Sequence, residues 1–324
     1  MQKDFDIVTL GEALIDFTPC GKSEENRDLL EVNPGGGPAN MLSMASKLGG
    51  KTAFVGKVGD DHYGRFLADV LEKSKIDTKG IVFDKTCFTT LAFVHLDEQG
   101  DRSFSFARKP GADVMIRQDE VDWDIICSGK IFHFSTLSLT DEPIRSTIRL
   151  AIEKARKADS IISFDPNIRP LLWESEAASK EQLLYGVAQC DILKISDNEL
   201  ELATGIENVE EAVDQLLFDF PNIKLIFATL GKNGCFYKQG DIRGRLPTFT
   251  NVKTIDTTGA GDSFMGCCLW RIAQIGQLEL NKEQLEGIVT FANAAASLVT
   301  TRRGGIYSIP EKEEVLKLIE QGTV

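Results

Sequence analysis

The stretch with the most chemistry in it is "DTTGAGDSF", Asp256 to Phe264. Three small residues, Gly259, Ala260 and Gly261, lie between two aspartates, and a long apolar segment follows. Such a segment reads as a helix, so the small residues would stand at its mouth. A helix N-terminus exposes unpaired N–H groups and a partial positive charge. Without bulky side chains, an anion can approach those amides closely. A carboxylate there, Asp262, does not serve to bind phosphate, because like charges repel. It can take the proton from a hydroxyl that attacks phosphorus while the amides hold the transferring group. The same nine residues also fit a helix cap preceded by a glycine turn, and other segments must decide.

Two segments bear on the choice. "NPGGGPAN", residues 33–40, sets three glycines before a helix start at Pro38. Gly36 and Gly37 would let a ligand reach the backbone. Asn40 offers both a donor and an acceptor, which suits a sugar hydroxyl. A plain strand–helix turn would look similar. Asp16, in "GEALIDF", follows the first strand. Ligands of open α/β sheets bind beyond the carboxyl ends of strands, where a carboxylate can accept from vicinal hydroxyls. A lone solvated loop aspartate is the ordinary alternative.

The elements that would hold these residues alternate in type. "FDIVTLG" reads as a buried strand, "PANMLSMASKLGG" as a helix, "KTAFVGKVG" as a strand and "DHYGRFLADVLEKSKI" as a helix. From 86 to 110 the texture changes to two strands, "TTLAFVHLD" and "DRSFSFARK", joined by a turn at "EQG". Residues 17–33 would add strands to the same small sheet. After about 130, strand and helix alternate through "KIFHFS", "SIISFD", "DILKIS" and "KLIFATLG", and two long helices close the chain near 260–275 and 283–300. Ile-, Val- and Phe-rich strands alternating with helices imply a parallel sheet covered on both faces. With no repeat and no linker, the chain reads as one α/β domain carrying a small β insertion.

Composition narrows the function. The 324 residues are 42% hydrophobic and 26% charged, with a net charge of −13. That charge argues against broad nucleic-acid or anionic-membrane binding. No stretch approaches the roughly 20 apolar residues of a membrane span, and the N-terminus reads as a strand, not an export signal. The seven cysteines are odd in number and lack any CxxC, as expected of reduced thiols in a cytoplasmic protein. Three separated histidines make a zinc site improbable. "ASKLGGKT", residues 45–52, nearly spells a phosphate loop. However, Ala45 replaces its first glycine, and the segment leaves a helix to enter a strand, the reverse of the order required. "GKVGDDHYG" lacks the GxGxxG spacing of a nicotinamide oxidoreductase.

Taken together these residues resemble the ribokinase-like (pfkB) family of carbohydrate kinases. "GGGPANMLSMASKLGGKTAFVGKVGDDHYGRFL" is similar to its first signature and "DTTGAGDSFMGCCLW" to its second, in the right order, and the likeness runs to "TRRGG". The resemblance implies a ribokinase-like three-layer α/β sandwich with a mainly parallel central sheet. It also implies a small β-sheet lid formed by insertions near 12–33 and 86–110, used as a homodimer interface and closing on substrate. The implied activity is ATP-dependent phosphorylation of a sugar hydroxymethyl group, with Mg²⁺.

By position, Asp262 matches the catalytic base and Gly259, Ala260 and Gly261 the anion hole. Asp16, Gly36, Gly37 and Asn40 match sugar contacts. Thr229, Gly231 and Gly234, in "TLGKNG", match a nucleotide loop, and Asn293 an adenine contact. Asp256, Thr258, Val299, Arg302, Gly304 and Ser308 match a monovalent-cation (K⁺) site. The family's NxxE sequence reads "SDNE" here, with Ser196 at the Asn position and Glu199 at the Glu, which acts on Mg²⁺ through water.

"FDPNIRPLLW" and "FARKPGAD" resemble the fructokinase branch and its relatives acting on keto-deoxy sugar acids. There Arg169 and Arg108 would face the substrate or the transferred phosphate. A guanidinium suits phosphate and carboxylate alike. Asp16 would repel a sugar carboxylate, so the expectation is a fructokinase, ahead of a 2-keto-3-deoxygluconate kinase. A non-catalytic sugar or nucleotide sensor on the same fold is the reading from a different class.

Overall fold

Strand β1 (Phe5–Leu10) shows how this chain builds two cores at once. Ile7 enters one hydrophobic cluster, while Val8 and Leu10 enter another on the opposite face. Alternate side chains of a strand point to opposite faces, so an unbroken apolar run requires cover on both sides. The computed structural model of the protein describes residues 2–96 and 102–322.

After β1 come β2 (Leu14–Lys22), β3 (Asp28–Gly35), α1 (Gly37–Lys47), β4 (Thr52–Gly59), α2 (His62–Lys73), β5 (Ile76–Asp84), β6 (Leu91–Leu96) and β7 (Arg102–Ala107). Then follow α3 (Trp123–Cys127), β8 (Gly129–Ser135), α4 (Ile144–Lys157), β9 (Ile161–Asp165), α5 (Glu176–Gln189) and β10 (Ile192–Ser196). The remainder is α6 (Asp197–Thr204), α7 (Val209–Asp219), β11 (Leu225–Thr229), β12 (Cys235–Gln239), β13 (Ile242–Leu246), α8 (Ala260–Ile275), α9 (Lys282–Val299) and α10 (Lys312–Gln321).

The large sheet has the order β13-β12-β11-β10-β9-β8-β1-β4-β5. Its pairings are parallel from β5 through β11, and β12 pairs antiparallel with both β11 and β13. One face is covered by α1, α2, α8, α9 and α10, the other by α3 to α7. Strand order reverses at β1, whose neighbours are β8 on one side and β4 on the other. Such a reversal opens a crevice at the carboxyl ends of the strands.

The second sheet, β3-β2-β6-β7, contains the strands expected within 12–33 and 86–110. The turn expected at "EQG" lies outside the described residues. Phe17 stacks on Phe93 with ring centroids 5.0 Å apart and meets Tyr63 of α2 edge-on at 5.7 Å. These aromatic contacts tie the small sheet to the body of the molecule.

Five elements were not anticipated from the sequence: β5, α3, β12, β13 and α10. "IDTKGIVFD" carries too many polar residues to read as a buried strand, and as the edge of the large sheet it can tolerate them. Residues 45–52 run from α1 into β4, as argued against a phosphate loop.

Helices α1 and α8 meet where Gly266 lacks a side chain. A Cβ there would lie 2.5 Å from the carbonyl oxygen of Met41. This close approach brings the first turns of the two helices together, and both carry residues of the site.

Candidate active site

Most of the site grows from the carboxyl ends of the parallel strands. β1 leads to Glu12, β9 ends at Asp165 and leads to Asn167 and Arg169, β10 carries Lys194 and ends at Ser196, and β11 ends at Thr229. A cavity of about 490 Å³ opens above them, lined by Glu12, Asp16, Asn40, Asn167, Arg169 and Asp262 among others. A second cavity of about 650 Å³ is lined by Thr229, Gly231, Gly234, Thr248, Phe249 and Asn293 among others.

Helix α8 starts at Ala260 after Gly259, which holds a left-handed φ of 78° that suits glycine. No side chain caps this helix. The Ala260 N–H already donates to the Thr257 carbonyl at 3.3 Å, whereas the Gly261 and Asp262 amides have no acceptor among the described residues. Of the amides at the expected anion hole, that of Ala260 is thus engaged within the protein, whereas those of Gly261 and Asp262 are not. Burial raises the pKa of the Asp262 carboxyl above its usual range, and a hydrogen bond from Asn40 and the charge of Lys194 oppose that rise. Asn40 Nδ2 donates to Asp262 Oδ2 at 2.9 Å, and Asn167 Nδ2 reaches Oδ1 at 3.4 Å. The carboxylate is held from both sides, as a base must be if it is to meet a hydroxyl in one orientation.

Gly36, at φ 109°, passes close to Glu12: a Cβ there would lie 2.5 Å from the Glu12 carbonyl oxygen. The Gly37 N–H donates to Glu12 Oε1 at 3.0 Å. A Cβ on Gly37 would sit 2.5 Å from Asn167 Nδ2 and 3.4 Å from Asp262 Oδ1, at the wall of the same cavity. Asp16 stands opposite Asn33 in the β2–β3 ladder. Burial pushes its pKa up to about 7, against the pull of Arg169 and with the push of Asp262. Burial pushes Glu12 to about 7 as well.

The structure corrects one expectation directly. Arg108 does not face the cavity. Its guanidinium is buried and donates to Asp113, to Thr140 Oγ1 at 2.9 Å and to the Leu137 carbonyl at 2.9 Å. A buried guanidinium needs a carboxylate partner, and Asp113, five residues on, supplies it where β7 joins the body. Arg169, by contrast, lines the cavity.

Ser196 caps α6 and exchanges hydrogen bonds with Glu199: its N–H and hydroxyl donate to Oε2 at 2.9 and 2.8 Å. Glu199 Oε1 accepts from the Ile168 N–H at 2.8 Å, tying α6 to the loop that carries Asn167 and Arg169. Asn293 Nδ2 donates to the carbonyls of Leu246 and Pro247 at 3.3 and 3.0 Å, tying α9 to the end of β13 beside the larger cavity.

The residues expected at a cation site make hydrogen bonds and an ion pair within the protein. Asp256 accepts from the N–H groups of Thr258 at 2.7 Å and Gly304 at 3.3 Å. The Val299 carbonyl accepts from the Arg302 N–H, the Arg302 guanidinium pairs with Glu314, and the Ser308 hydroxyl donates to the Gly305 carbonyl. Among the described residues no three His, Cys, Asp or Glu side chains cluster as metal ligands. No helix among them is long and apolar enough to cross a membrane.

Sequence reasoning passed over Glu12, Asn167, Asp165 and Lys194. Lys194 had a signal: a lysine inside the apolar strand "ILKIS" must be buried in a doubly covered sheet, and buried lysines are rare unless paired. Its Nζ lies 2.9 Å from both carboxylate oxygens of Asp165. Asn167, at φ 47°, uses the tolerance of asparagine for left-handed backbone.

Comparisons with known proteins bear on the family of the chain and on its fold. The model of the "pfkB family carbohydrate kinase" family matches residues 4–312. The chain is 42% identical to "Probable fructokinase-2" of Arabidopsis thaliana over 97% of its length and 95% of the relative's. It is 42% identical to "Fructokinase-1" of Zea mays, over 97% and 98%. Among solved structures, fructokinase from Xylella fastidiosa with bound ATP superposes with a TM-score of 0.87 at 33% identity, covering 98% of each chain. Fructokinase from Vibrio cholerae O395, described as bound to fructose, ADP and calcium, superposes at 0.86 with 32% identity, over 96% of this chain and 98% of that one. The architecture is ribokinase-like, an α/β fold with a large, mostly parallel sheet, a smaller second sheet and flanking helices. With a family match across nearly its whole length, the chain belongs to the pfkB family of carbohydrate kinases.

Proposed function

We propose that the protein is a fructokinase, transferring the terminal phosphoryl group of ATP to the primary hydroxyl of D-fructose at O6. One observation carries the choice of a neutral sugar: Glu12, Asp16 and Asp262 all line the smaller cavity. Three carboxyl groups suit a polyol, whose hydroxyls donate to them, and disfavour a sugar acid. Its cations are Lys194, already paired with Asp165, and Arg169. The fructokinase relatives, similar over nearly the full chain, support the same reading.

In this reading Asp16 and Asn40 hold the sugar hydroxyls. Asp262 Oδ1 or Oδ2 takes the proton of the attacking hydroxyl, and the Gly261 and Asp262 amides receive the phosphoryl oxygens. The larger cavity takes the nucleotide between the 229–234 loop and α9. Mg²⁺ binds mainly through phosphates and water in such sites. Glu199, with lone pairs left after its bonds to Ser196 and Ile168, fits a role through water, and the ion would neutralise phosphate charge. A K⁺ ion near Asp256 would act on the loop that feeds α8. The small sheet serves as a lid that closes over the sugar to exclude water, and as the surface of a homodimer. The seven free cysteines fit a reducing, cytoplasmic setting.

A coupled ADP-release assay over a panel of ketoses, aldoses and 2-keto-3-deoxygluconate tests the proposal. Turnover with D-fructose is expected. Turnover with the sugar acid alone would replace this reading with the keto-deoxy acid kinase, and binding without turnover would favour a sensor.

A further inference from the structure

We propose that Lys194 is a catalytic residue of the transfer, its ammonium contacting the phosphoryl group as it passes from nucleotide to sugar. The inference rests on the kinase reading above. The two cavities share three lining residues, Lys194, Thr257 and Gly261, and Lys194 is the only charged one of the three. A Cβ on Gly261 would lie 3.0 Å from Lys194 Nζ, so the ammonium borders the amides at the mouth of α8. Lys194 is buried, and Asp165 accepts two of its three donors at 2.9 Å each. The third has no acceptor among the described residues and stands at the junction the phosphoryl group must cross.

The charge is maintained there. Burial alone would lower the pKa of Lys194, but the carboxylates of Asp165, Glu199 and Asp262 more than offset it and hold the pKa above its ordinary value. The residue that replaces the family's Asn, Ser196, is committed to Glu199 and the α6 cap. Lys194, two residues earlier on β10, supplies a donor to the transferred group from the same strand end.

During transfer the bond from the sugar oxygen to the γ-phosphorus forms, and the bond from that phosphorus to the β,γ-bridging oxygen breaks. The hydroxyl proton passes to Asp262, and ADP departs with the electron pair of the broken bond. Lys194 keeps its proton throughout and donates a hydrogen bond to the phosphoryl oxygens, which gather charge in a water-poor site. Asp165 is its positioning residue.

The test compares wild type, Lys194→Met, and Lys194→Met combined with Asp165→Asn. The double variant removes the pair without stranding a buried carboxylate, a change often neutral for folding. If Lys194 only holds the fold, the folded double variant recovers turnover. If it touches the phosphoryl group, both variants lose about 10²–10³-fold in kcat, with KM for fructose and the affinity for ADP within about three-fold. A second arm measures ADP affinity with and without fluoroaluminate, a mimic of the transferring group. Tightening is expected in wild type and not in the variants. Double-variant turnover within about ten-fold of wild type, or equal tightening in all three proteins, overturns the proposal. Absence of sugar turnover by wild type would defeat the kinase reading alone, and the fluoroaluminate arm would still decide Lys194.

Discussion

Asn40 Nδ2 donates to Asp262 Oδ2 at 2.9 Å, joining residues 222 positions apart in the chain. The bond spans the first turns of α1 and α8. It directs the carboxylate and favours its charged form. Asn40 Oδ1 is buried without a partner, close to Gly305. Asn40→Ala should lower kcat by about 10–10²-fold and raise KM for the sugar, since it removes both an orienting bond and a sugar contact. Because the lost bond lowers the pKa of Asp262, the acid limb of kcat should move to higher pH. A limb that stays in place would show that Asn40 does not act on Asp262.

Asp262→Asn keeps size and shape but cannot take a proton. Turnover should fall by about 10²–10⁴-fold, the span typical of a positioned base. Calorimetric binding of fructose should survive. Near-normal turnover would remove Asp262 from the mechanism.

Gly261→Ala separates catalysis from stability. Position 261 is in the first turn of α8 and has no left-handed φ, so alanine suits the backbone and would favour the helix by up to about 1 kcal/mol. Yet the new Cβ would lie 3.0 Å from Lys194 Nζ, in the space where, in the proposed mechanism, the amides would receive phosphate. The melting temperature should hold or rise while kcat drops by at least about ten-fold. Equal loss of both would mean that the glycine serves the fold alone.

The pH profile follows from the raised carboxyl pKa values. In the proposed mechanism Asp262 must be ionised to accept a proton, and Asp16, at about 7, must be ionised to accept from the sugar. Initial rates at low fructose should therefore show kcat/KM falling as pH drops below about 7, well above the range of ordinary carboxylates.

The same shift has the opposite sign for stability. Folded Asp16 holds its proton more tightly than the unfolded chain, so stability falls as pH rises from about 4 to about 7 and stays reduced above that. Asp16→Asn should raise stability at pH 8 by on the order of 1 kcal/mol, allowing for water in the cleft. Sugar affinity should weaken in the same variant. A stability gain equal at pH 4 and pH 8 would contradict the assignment.

Glu12 and Lys194 show why part of the site could not be read in advance. Each sits inside a segment that the sequence does mark, "GEALIDF" and "DILKIS", but its role depends on partners far away: Gly37 for Glu12, Asp165 for Lys194. Arg108 shows the converse. Its neighbours in sequence suggest a ligand contact, whereas packing buries it against Asp113. Local pattern reports what a residue can do, not what it touches.

By itself the chain determined the alternation of strand and helix, the glycine-rich helix mouths and the carboxylate at 262, because backbone periodicity and φ tolerance are local properties. Folding decided which of these meet. The reversal of strand order at β1 and the close crossing of α1 and α8 at Gly266 set Asn40 beside Asp262 and Lys194 between the two cavities. Such contacts depend on the paths of segments up to hundreds of residues apart, and no single stretch of the chain contains that information.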